Sequence, residues 1–244
     1  MKIIRILKGA GIRSSYGTIG AASVTLVRDD RNILVDTGHF GNRDNLLARL
    51  RENMIKPSEI DVVVLTHLNW DHCLNVDIFK DSEIMIGREE YEKGTLSGVS
   101  DGITKKFKEY LGGLNINLVE DGHRVSSNSS IISTPGHTPG HVSLGITNEN
   151  ILTVVAGDAI PNIRAYRRGI PDLIFYDLKA AKQSIAKVKA MDPDVIIPGH
   201  DPPFNSNGYL EADPVDIVLR NEDETNSVVT MSRITAEKPV IFNE

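Results

Sequence analysis

The chain has 244 residues, of which 40% are hydrophobic and 25% are charged, and its formal net charge at pH 7 is −6. A chain of this length can bury a sizeable core within a single domain, and its negative charge argues against a nucleic-acid partner. Cys73 is the one cysteine, which excludes an internal disulfide framework and favours a reducing, cytoplasmic compartment.

The first third of the chain alternates strand and helix patterns. Residues 1–5 predict a strand rather than a signal peptide, and no apolar run is long enough to cross a membrane. Two β-branched runs, 24–27 and 33–35, flank a polar turn and predict a hairpin. Leucines at helical spacing predict a helix over 45–54. The apolar run at 60–65 then has the composition of a strand buried on both faces.

The second half repeats this alternation. Apolar runs predict strands at 131–133, 142–146, 151–155 and 195–197. A helix is predicted at 177–191, and the weaker helical pattern of 87–115 is interpreted as a lid or an edge insertion. Because no low-complexity linker divides the chain, we expect one domain over 1–244, with a motif-bearing core of about 22–204 and a C-terminal extension over 205–244.

Two histidines and an aspartate follow the strand predicted at 60–65. They are His67, Asp71 and His72, within six consecutive residues. Loops at the carboxyl ends of buried parallel strands are where open α/β sheets bind ligands. Imidazole and carboxylate together suit zinc, iron or manganese better than calcium. The loop therefore predicts a metal site.

Three later strands end in the same way. They lead to His137 within the sequence TPGHTPGH, to Asp158, and to His200 within PGHDPP. Proline restricts the backbone of such turns and glycine permits the irregular conformations that they need, which favours a ligand held in place before the metal binds. Each loop alone is a weak signal, but four strand ends that deliver His or Asp in succession predict one metal centre.

This series of motifs resembles the metallo-β-lactamase superfamily over about residues 33–204. The sequence VDTG, which contains Asp36, resembles the first motif of the family, and residues 67–72 resemble its HxHxDH motif. The resemblance implies an α/β fold, a four-layer αββα sandwich of two mixed β-sheets flanked by helices, with the metals at one edge of the sheets. It also implies that the aspartate of the first motif is structural or supports the ligands.

The resemblance implies a binuclear site as well. It assigns His67 and His137 to one metal ion, three residues to the other, and Asp158 to both. The three are Asp71, His72 and His200. Zinc is the favoured ion, with iron and manganese as alternatives.

The sequence departs from the family motif at one position. Asn69 stands where the family has the second histidine of HxHxDH. An amide oxygen is a poorer zinc ligand than an imidazole nitrogen. We therefore expect the metal position beside His67 and His137 to be weak or vacant.

The activity implied by the resemblance is hydrolysis. A metal-bound hydroxide would attack an ester, lactone, thioester or phosphoester bond of a small-molecule substrate, and Asp71 would accept and return a proton as the catalytic residue. The length of the chain and its tail match the small, single-domain, lactonase-like or promiscuous members of the family. A homodimer is compatible with the sequence.

Three other residues are candidates for substrate contacts. His39 follows the loop of Asp36, while Arg164 and Tyr166 follow Asp158 closely in the sequence. An arginine at that point could hold an anionic group of the substrate. For His141 we expect hydrogen bonds that orient its loop rather than a bond to metal.

Two other interpretations of the site remain. His67, His137 and Asp158 have the composition of the facial triad of a mononuclear iron oxygenase, and persulfide dioxygenases of this superfamily resemble that arrangement. The complete second ligand set is the difficulty for this interpretation. A non-catalytic or nucleic-acid-processing scaffold would need basic stripes that the sequence does not contain.

Overall fold

A computed structural model describes the backbone of residues 1–14, 17–96, 101–211, 215–220, 226–231 and 240–241, and the side chains of 1–11, 20–96 and 102–211. The strands are β1 (Lys2–Leu7), β2 (Ala10–Ser14), β3 (Gly17–Ala21), β4 (Val24–Arg28), β5 (Asn32–Val35), β6 (Val62–Leu65), β7 (Glu83–Gly87), β8 (Ile116–Val119), β9 (Arg124–Ser126), β10 (Ser129–Ser133), β11 (Val142–Asn148), β12 (Ile151–Gly157), β13 (Leu173–Ile174), β14 (Val195–Pro198), β15 (Phe204–Asn205), β16 (Gly208–Tyr209), β17 (Val215–Arg220), β18 (Asn226–Met231) and β19 (Val240–Ile241). The α-helices are α1 (Arg43–Glu52), α2 (Trp70–Cys73), α3 (Arg88–Lys93), α4 (Asp101–Leu111), α5 (Ile163–Arg168) and α6 (Leu178–Ala190).

Most of these strands form two mixed sheets. The first has the order β1-β4-β5-β6-β7-β8 and the second the order β16-β15-β14-β12-β11-β10-β9. In the first sheet, β5 to β8 run parallel, and in the second, β12 and β14 do. Parallel neighbours end at the same edge of their sheet, so the loops that follow them lie side by side.

Three apolar clusters divide the molecule into four layers. One packs helix α1, through Leu46 and Leu50, on the outer face of the first sheet. The second lies between the sheets and includes Val64 and Leu144. The third packs α5 and α6 on the outer face of the second sheet, for example through Ile185. This is the αββα arrangement expected from the resemblance.

Most of the predicted elements are present. The hairpin β4–β5, the buried strand β6 and the helix α6 all form within a few residues of their predicted bounds. Met54 is the exception at the end of α1, because the helix stops at Glu52 and the Met54 side chain is 83% exposed.

Of the two interpretations of residues 87–115, the lid is wrong, and the segment instead leads to β8 at one edge of the first sheet. Helices α3 and α4 form the crossover that connects the parallel strands β7 and β8. A parallel pair needs such a long connection, since a tight turn cannot reverse the chain twice. Leu96 and Leu111 of this segment are buried in the cluster beside α1.

The C-terminal extension contains several short strands. Strands β15 and β16 continue the second sheet beyond β14, β17 pairs with β18, and β19 pairs with β13. That the whole chain forms a single domain stays a prediction. No helix in the described ranges has the length and apolar character needed to span a bilayer.

Candidate metal centre

The residues predicted as ligands converge where four strands end. His67 follows β6, His137 follows β10, Asp158 follows β12, and His200 follows β14. Ligand atoms of His67, His137 and Asp158 lie within 4.8 Å of one another, and so do those of Asp71, His72 and His200. We refer to these sets as the first group and the second group.

Asp36 and Thr66 orient the two histidines of the first motif loop. The Asp36 carboxylate accepts hydrogen bonds from the Thr66 hydroxyl at 2.8 Å and from His72 Nδ1 at 2.7 Å. The Thr66 hydroxyl also lies 2.9 Å from His67 Nδ1. Because the Thr66 proton goes to the carboxylate, His67 Nδ1 is the donor to the Thr66 oxygen. Both rings therefore have Nδ1 engaged, and their Nε2 atoms are available at the centre.

Main-chain carbonyl groups orient the other two histidines. His137 Nδ1 lies 2.8 Å from the carbonyl oxygen of Leu173, and His200 Nδ1 lies 3.0 Å from that of Ala21. A carbonyl only accepts hydrogen bonds, so Nδ1 carries the proton in both rings. All four imidazoles thus present an Nε2 atom to the centre.

Asp158 lies between the two groups. Its Oδ1 atom is 3.4 Å from His72 Nε2 and 3.2 Å from His200 Nε2, while its Oδ2 atom is 3.6 Å from His137 Nε2. One oxygen therefore faces each group. Asp71 is the third member of the second group and is 8% exposed. Its Oδ2 atom lies 3.5 Å from His200 Nε2.

The donor atoms fit divalent metal ions. His67 Nε2 is buried and has no hydrogen-bond partner within the described part of the chain. A buried polar atom without a partner is costly, and a metal ion would satisfy it. Imidazole nitrogen and carboxylate oxygen are the usual ligands of zinc and of related transition metals.

The two groups differ in the protonation of their histidines. Burial lowers the pKa of His67 well below its usual value, and it also lowers the pKa of His137. In the second group, burial acts in the same direction, but nearby carboxylates outweigh it. Asp36, Asp158 and Asp71 raise the pKa of His72 well above its usual value, and Asp158 and Asp71 raise that of His200 to about 9.

Asn69 lies against the first group. Its Nδ2 atom is 2.9 Å from His137 Nε2. Since His137 carries its proton on Nδ1, Asn69 is the donor in this hydrogen bond. The amide oxygen of Asn69 is buried and has no partner among the side chains and main chain that the structure describes.

His141 makes hydrogen bonds rather than joining either ligand group. Its Nε2 atom accepts the backbone N–H groups of Asp158 and Ala159 at 3.1 and 3.2 Å, and its Nδ1 atom lies 2.9 Å from the Thr134 hydroxyl. Burial lowers the pKa of His141 well below its usual value. The orienting role expected for this residue therefore agrees with its contacts, which reach the Asp158 loop as well as its own.

The three candidate substrate contacts lie outside both groups. His39 caps a short 3-10 turn by accepting the N–H of Gly41, and its ring centroid is 5.0 Å from that of Trp70. Arg164 lies 4.0 Å from the Asp172 carboxylate. Tyr166 is 9% exposed and packs against Phe204 in the cluster outside the second sheet. None of these contacts supports a substrate role for Tyr166, which stays a prediction.

Sequence reasoning missed several groups that support the ligands. The carbonyl groups of Leu173 and Ala21 carry no side-chain signal, so no sequence pattern could identify them. Thr66 precedes His67 directly and could have been noticed for that reason. Glu90 is completely buried in the segment whose sequence suggests a lid or an edge insertion, and only the burial pattern of β7 and α3 places it in the core.

Comparisons with known proteins agree with this geometry. The sequence matches the profile of the metallo-beta-lactamase superfamily over residues 17–200. It is 30% identical over 186 residues to metallo-beta-lactamase domain-containing protein 1 of Xenopus laevis, covering 75% of this chain and 71% of that protein. It is 31% identical over 171 residues to a Methanocaldococcus jannaschii protein named "Probable metallo-hydrolase", covering 69% of this chain and 70% of the other.

The fold also matches a solved structure. This is an N-acyl homoserine lactone hydrolase with the product N-hexanoyl-L-homoserine bound at the catalytic metal center, and the match has a TM-score of 0.66 at 22% identity over 82% of this chain and 92% of that one. The predicted αββα fold is therefore confirmed. The chain belongs to the metallo-beta-lactamase superfamily.

Proposed function

We propose that this chain is a metal-dependent hydrolase of ester or lactone bonds that uses two divalent ions, with zinc favoured. The observation that carries the proposal is the position of Asp158, whose two carboxylate oxygens face the two ligand groups at 3.2 to 3.6 Å. A carboxylate placed in this way would serve as a ligand in both sets of residues that would hold the ions. A purely structural polar cluster would not gather the Nε2 atoms of four histidines around one carboxylate.

The residues of the site have distinct roles in this proposal. When bound, the divalent ions supply a hydroxide at neutral pH and polarise the bond to be cleaved. Asp36 and Thr66 keep His67 and His72 in the tautomer that binds metal. Asp71 lies at the centre beside His200, where its carboxylate can accept the proton of the nucleophile and return it to the leaving group.

The preference for an ester or lactone rests on two supports. The similar solved structure is a lactone hydrolase with its product at the metal center. In this chain, an aromatic ring stands beside one of the ligands, since the centroid of Phe175 is 5.1 Å from that of His137. Aromatic surface of this kind favours a substrate with an apolar part.

The experiment that tests the proposal combines metal analysis with a substrate panel. The protein is purified without chelator, its metal content is measured, and hydrolysis of a lactone, an aryl ester, a thioester and a phosphodiester is compared. We expect zinc, and we expect the lactone or the ester to be the best substrate. A single iron ion per chain together with oxygen consumption would overturn the proposal in favour of the oxygenase interpretation, for which the first group has the required composition.

A further inference from the structure

Glu90 is a buried carboxyl group that connects two of the ligand loops. It lies in helix α3 and its side chain is completely buried. Its Oε1 atom accepts the N–H of Leu68 at 2.9 Å, and its Oε2 atom accepts the N–H of Gly140 at 3.0 Å. Leu68 stands between His67 and Asn69 in the sequence, and Gly140 is the third residue after His137.

The surroundings of Glu90 are costly for a carboxyl group. Burial raises its pKa, and the N–H groups of Leu68 and Gly140 oppose that rise. An apolar side chain of similar size would avoid the cost of burying a carboxyl group. It would also leave both N–H groups without an acceptor. The Glu90 carboxyl group therefore serves to accept the N–H groups of the two loops rather than to stabilise the helix that carries it.

The backbone around Glu90 leaves little room for the loops to move. A Cβ atom at Gly140 would lie 1.9 Å from the Glu90 nitrogen, and one at Gly87 would lie 2.1 Å from the Gly140 oxygen. In both cases the added Cβ atom would meet a backbone atom, so no side-chain rotation could relieve the contact. The start of α3 and the His137 loop are thus in direct contact, and the Glu90 side chain extends this contact to the His67 loop.

We propose that Glu90 is a positioning residue for the first group. Its carboxylate holds the loops of His67 and His137 at the separation at which their Nε2 atoms meet Asp158. Its two hydrogen bonds reach the residue next to His67 and the loop of His137, whereas Asp71 and His72 of the second group lie in the following helix α2. The inference rests on the proposed function, because it assumes that metal ions bind at these residues.

The test compares metal binding by the parent protein and by Glu90→Gln. Glutamine keeps one acceptor oxygen and places an NH2 group where the other oxygen was, so one of the two N–H bonds is lost. Chelator-treated protein is titrated with zinc in competition with a chromophoric chelator, and with cobalt(II) for its absorption spectrum. We expect one equivalent to bind about 10-fold more weakly and the other to change by less than about threefold.

Ser82→Ala is the matched control for loss of a buried hydrogen bond. The Ser82 hydroxyl is buried and donates to the Ile60 carbonyl at 2.7 Å, outside the ligand loops. This variant should unfold at a lower temperature and bind both zinc equivalents normally. If Glu90→Gln also loses thermal stability while both affinities stay unchanged, the positioning role is overturned.

Two further results separate the possible failures. If the parent protein itself binds neither zinc nor cobalt(II), the proposed function fails, and this inference fails with it. If Glu90→Gln does not fold, the test is instead made on the parent protein, by measuring amide hydrogen exchange with and without zinc. Zinc should then slow exchange at the Leu68 and Gly140 amides together, and no change at these two amides would overturn the positioning role.

Discussion

The two ligand groups contain the same kinds of side chain but have different electrostatic surroundings. The imidazoles of the first group lie among other imidazoles, and His72 and His137 are among the neighbours that lower the pKa of His67. Those of the second group lie among carboxylates, which raise the pKa of His72 and His200. At neutral pH and without metal, the histidines of the first group are therefore neutral. Those of the second group, His72 and His200, favour the protonated form.

This contrast has consequences for metal binding. An ion that enters the second group must displace protons but gains four charged or imidazole ligands, counting Asp158. An ion that enters the first group displaces no proton, but it must compete with the Asn69 amide for the lone pair of His137 Nε2. The larger set of ligands favours the second group despite the protons that it must release, and the hydrogen bond of Asn69 disfavours the first. We therefore expect the second group to fill more tightly near neutral pH.

The largest effect should come from removing a ligand of the second group. His200→Ala should lower kcat/KM by at least about 1,000-fold, because the chemistry depends on the bound ion. It should also lower the melting temperature of the metal-loaded protein, since bound metal stabilises the folded state. Steady-state kinetics and thermal unfolding with zinc present measure both effects.

His123→Ala is the control for that substitution. His123 lies at the turn before β9, away from both groups, and its removal should leave rate and melting temperature nearly unchanged. Full activity in His200→Ala would show that the second group is not the catalytic centre, and the contrast between the groups would lose its functional meaning.

The next effect concerns the amide that distinguishes the first group. Asn69→His removes the donor to His137 Nε2 and adds an imidazole, so metal content should rise toward about two ions per chain and kcat by about 10-fold. Metal analysis after mild chelation and kinetics on a lactone measure the change.

Asn69→Ala separates the two causes. It removes the hydrogen bond without adding a ligand, so a smaller gain in occupancy is expected than with histidine. If neither variant alters metal occupancy or rate, the Asn69 amide does not hinder metal binding by the first group. The amide would then explain no difference in affinity between the two groups.

A smaller effect is expected in the pH dependence of the metal-free protein. The folded-state pKa of His200 is about 9, above its usual value of 6.5. Its contribution to stability is therefore fully present below about pH 6.5 and is lost as the pH rises through 9, and His72 acts in the same direction. The free energy of unfolding should fall over this interval by an amount on the order of 3 kcal/mol.

Chemical denaturation of chelator-treated protein at several pH values measures this loss. Zinc-loaded protein should show a flatter profile, because the ion occupies the nitrogen atoms that would titrate. His200→Ala should flatten the metal-free profile as well. An unchanged slope in that variant would assign the pH dependence to other groups.

The smallest effect concerns the helix that follows Asp158. Arg164→Ala should raise KM for an anionic substrate by about threefold and leave KM for a neutral one unchanged. The effect is small because Asp172 already lies near the guanidinium. Arg168→Ala is the matched control, since Arg168 pairs with the same carboxylate at 2.7 Å. Equal effects on both substrates would place Arg164 among ordinary surface residues.

By itself, the sequence determined the identity of the residues that converge and the order in which strands deliver them. His67, Asp71 and His72 follow an apolar run, and His137, Asp158 and His200 follow three others. These are local signals, since both the strand pattern and the loop that follows it are read over about ten residues. The hairpin of β4 and β5 and the helix α6 were predicted for the same reason.

Only the tertiary structure decided how each histidine is protonated and held. Whether an imidazole lies beside Asp36 or beside another imidazole depends on strands that are far apart in the sequence. The carbonyl groups of Leu173 and Ala21 became hydrogen-bond acceptors only through packing, and every residue has such a carbonyl. Glu90 reaches the two loops because helix α3, at the start of the crossover from β7 to β8, packs against them. Long-range contacts of this kind leave no periodic pattern in the chain, so the sequence could not reveal them.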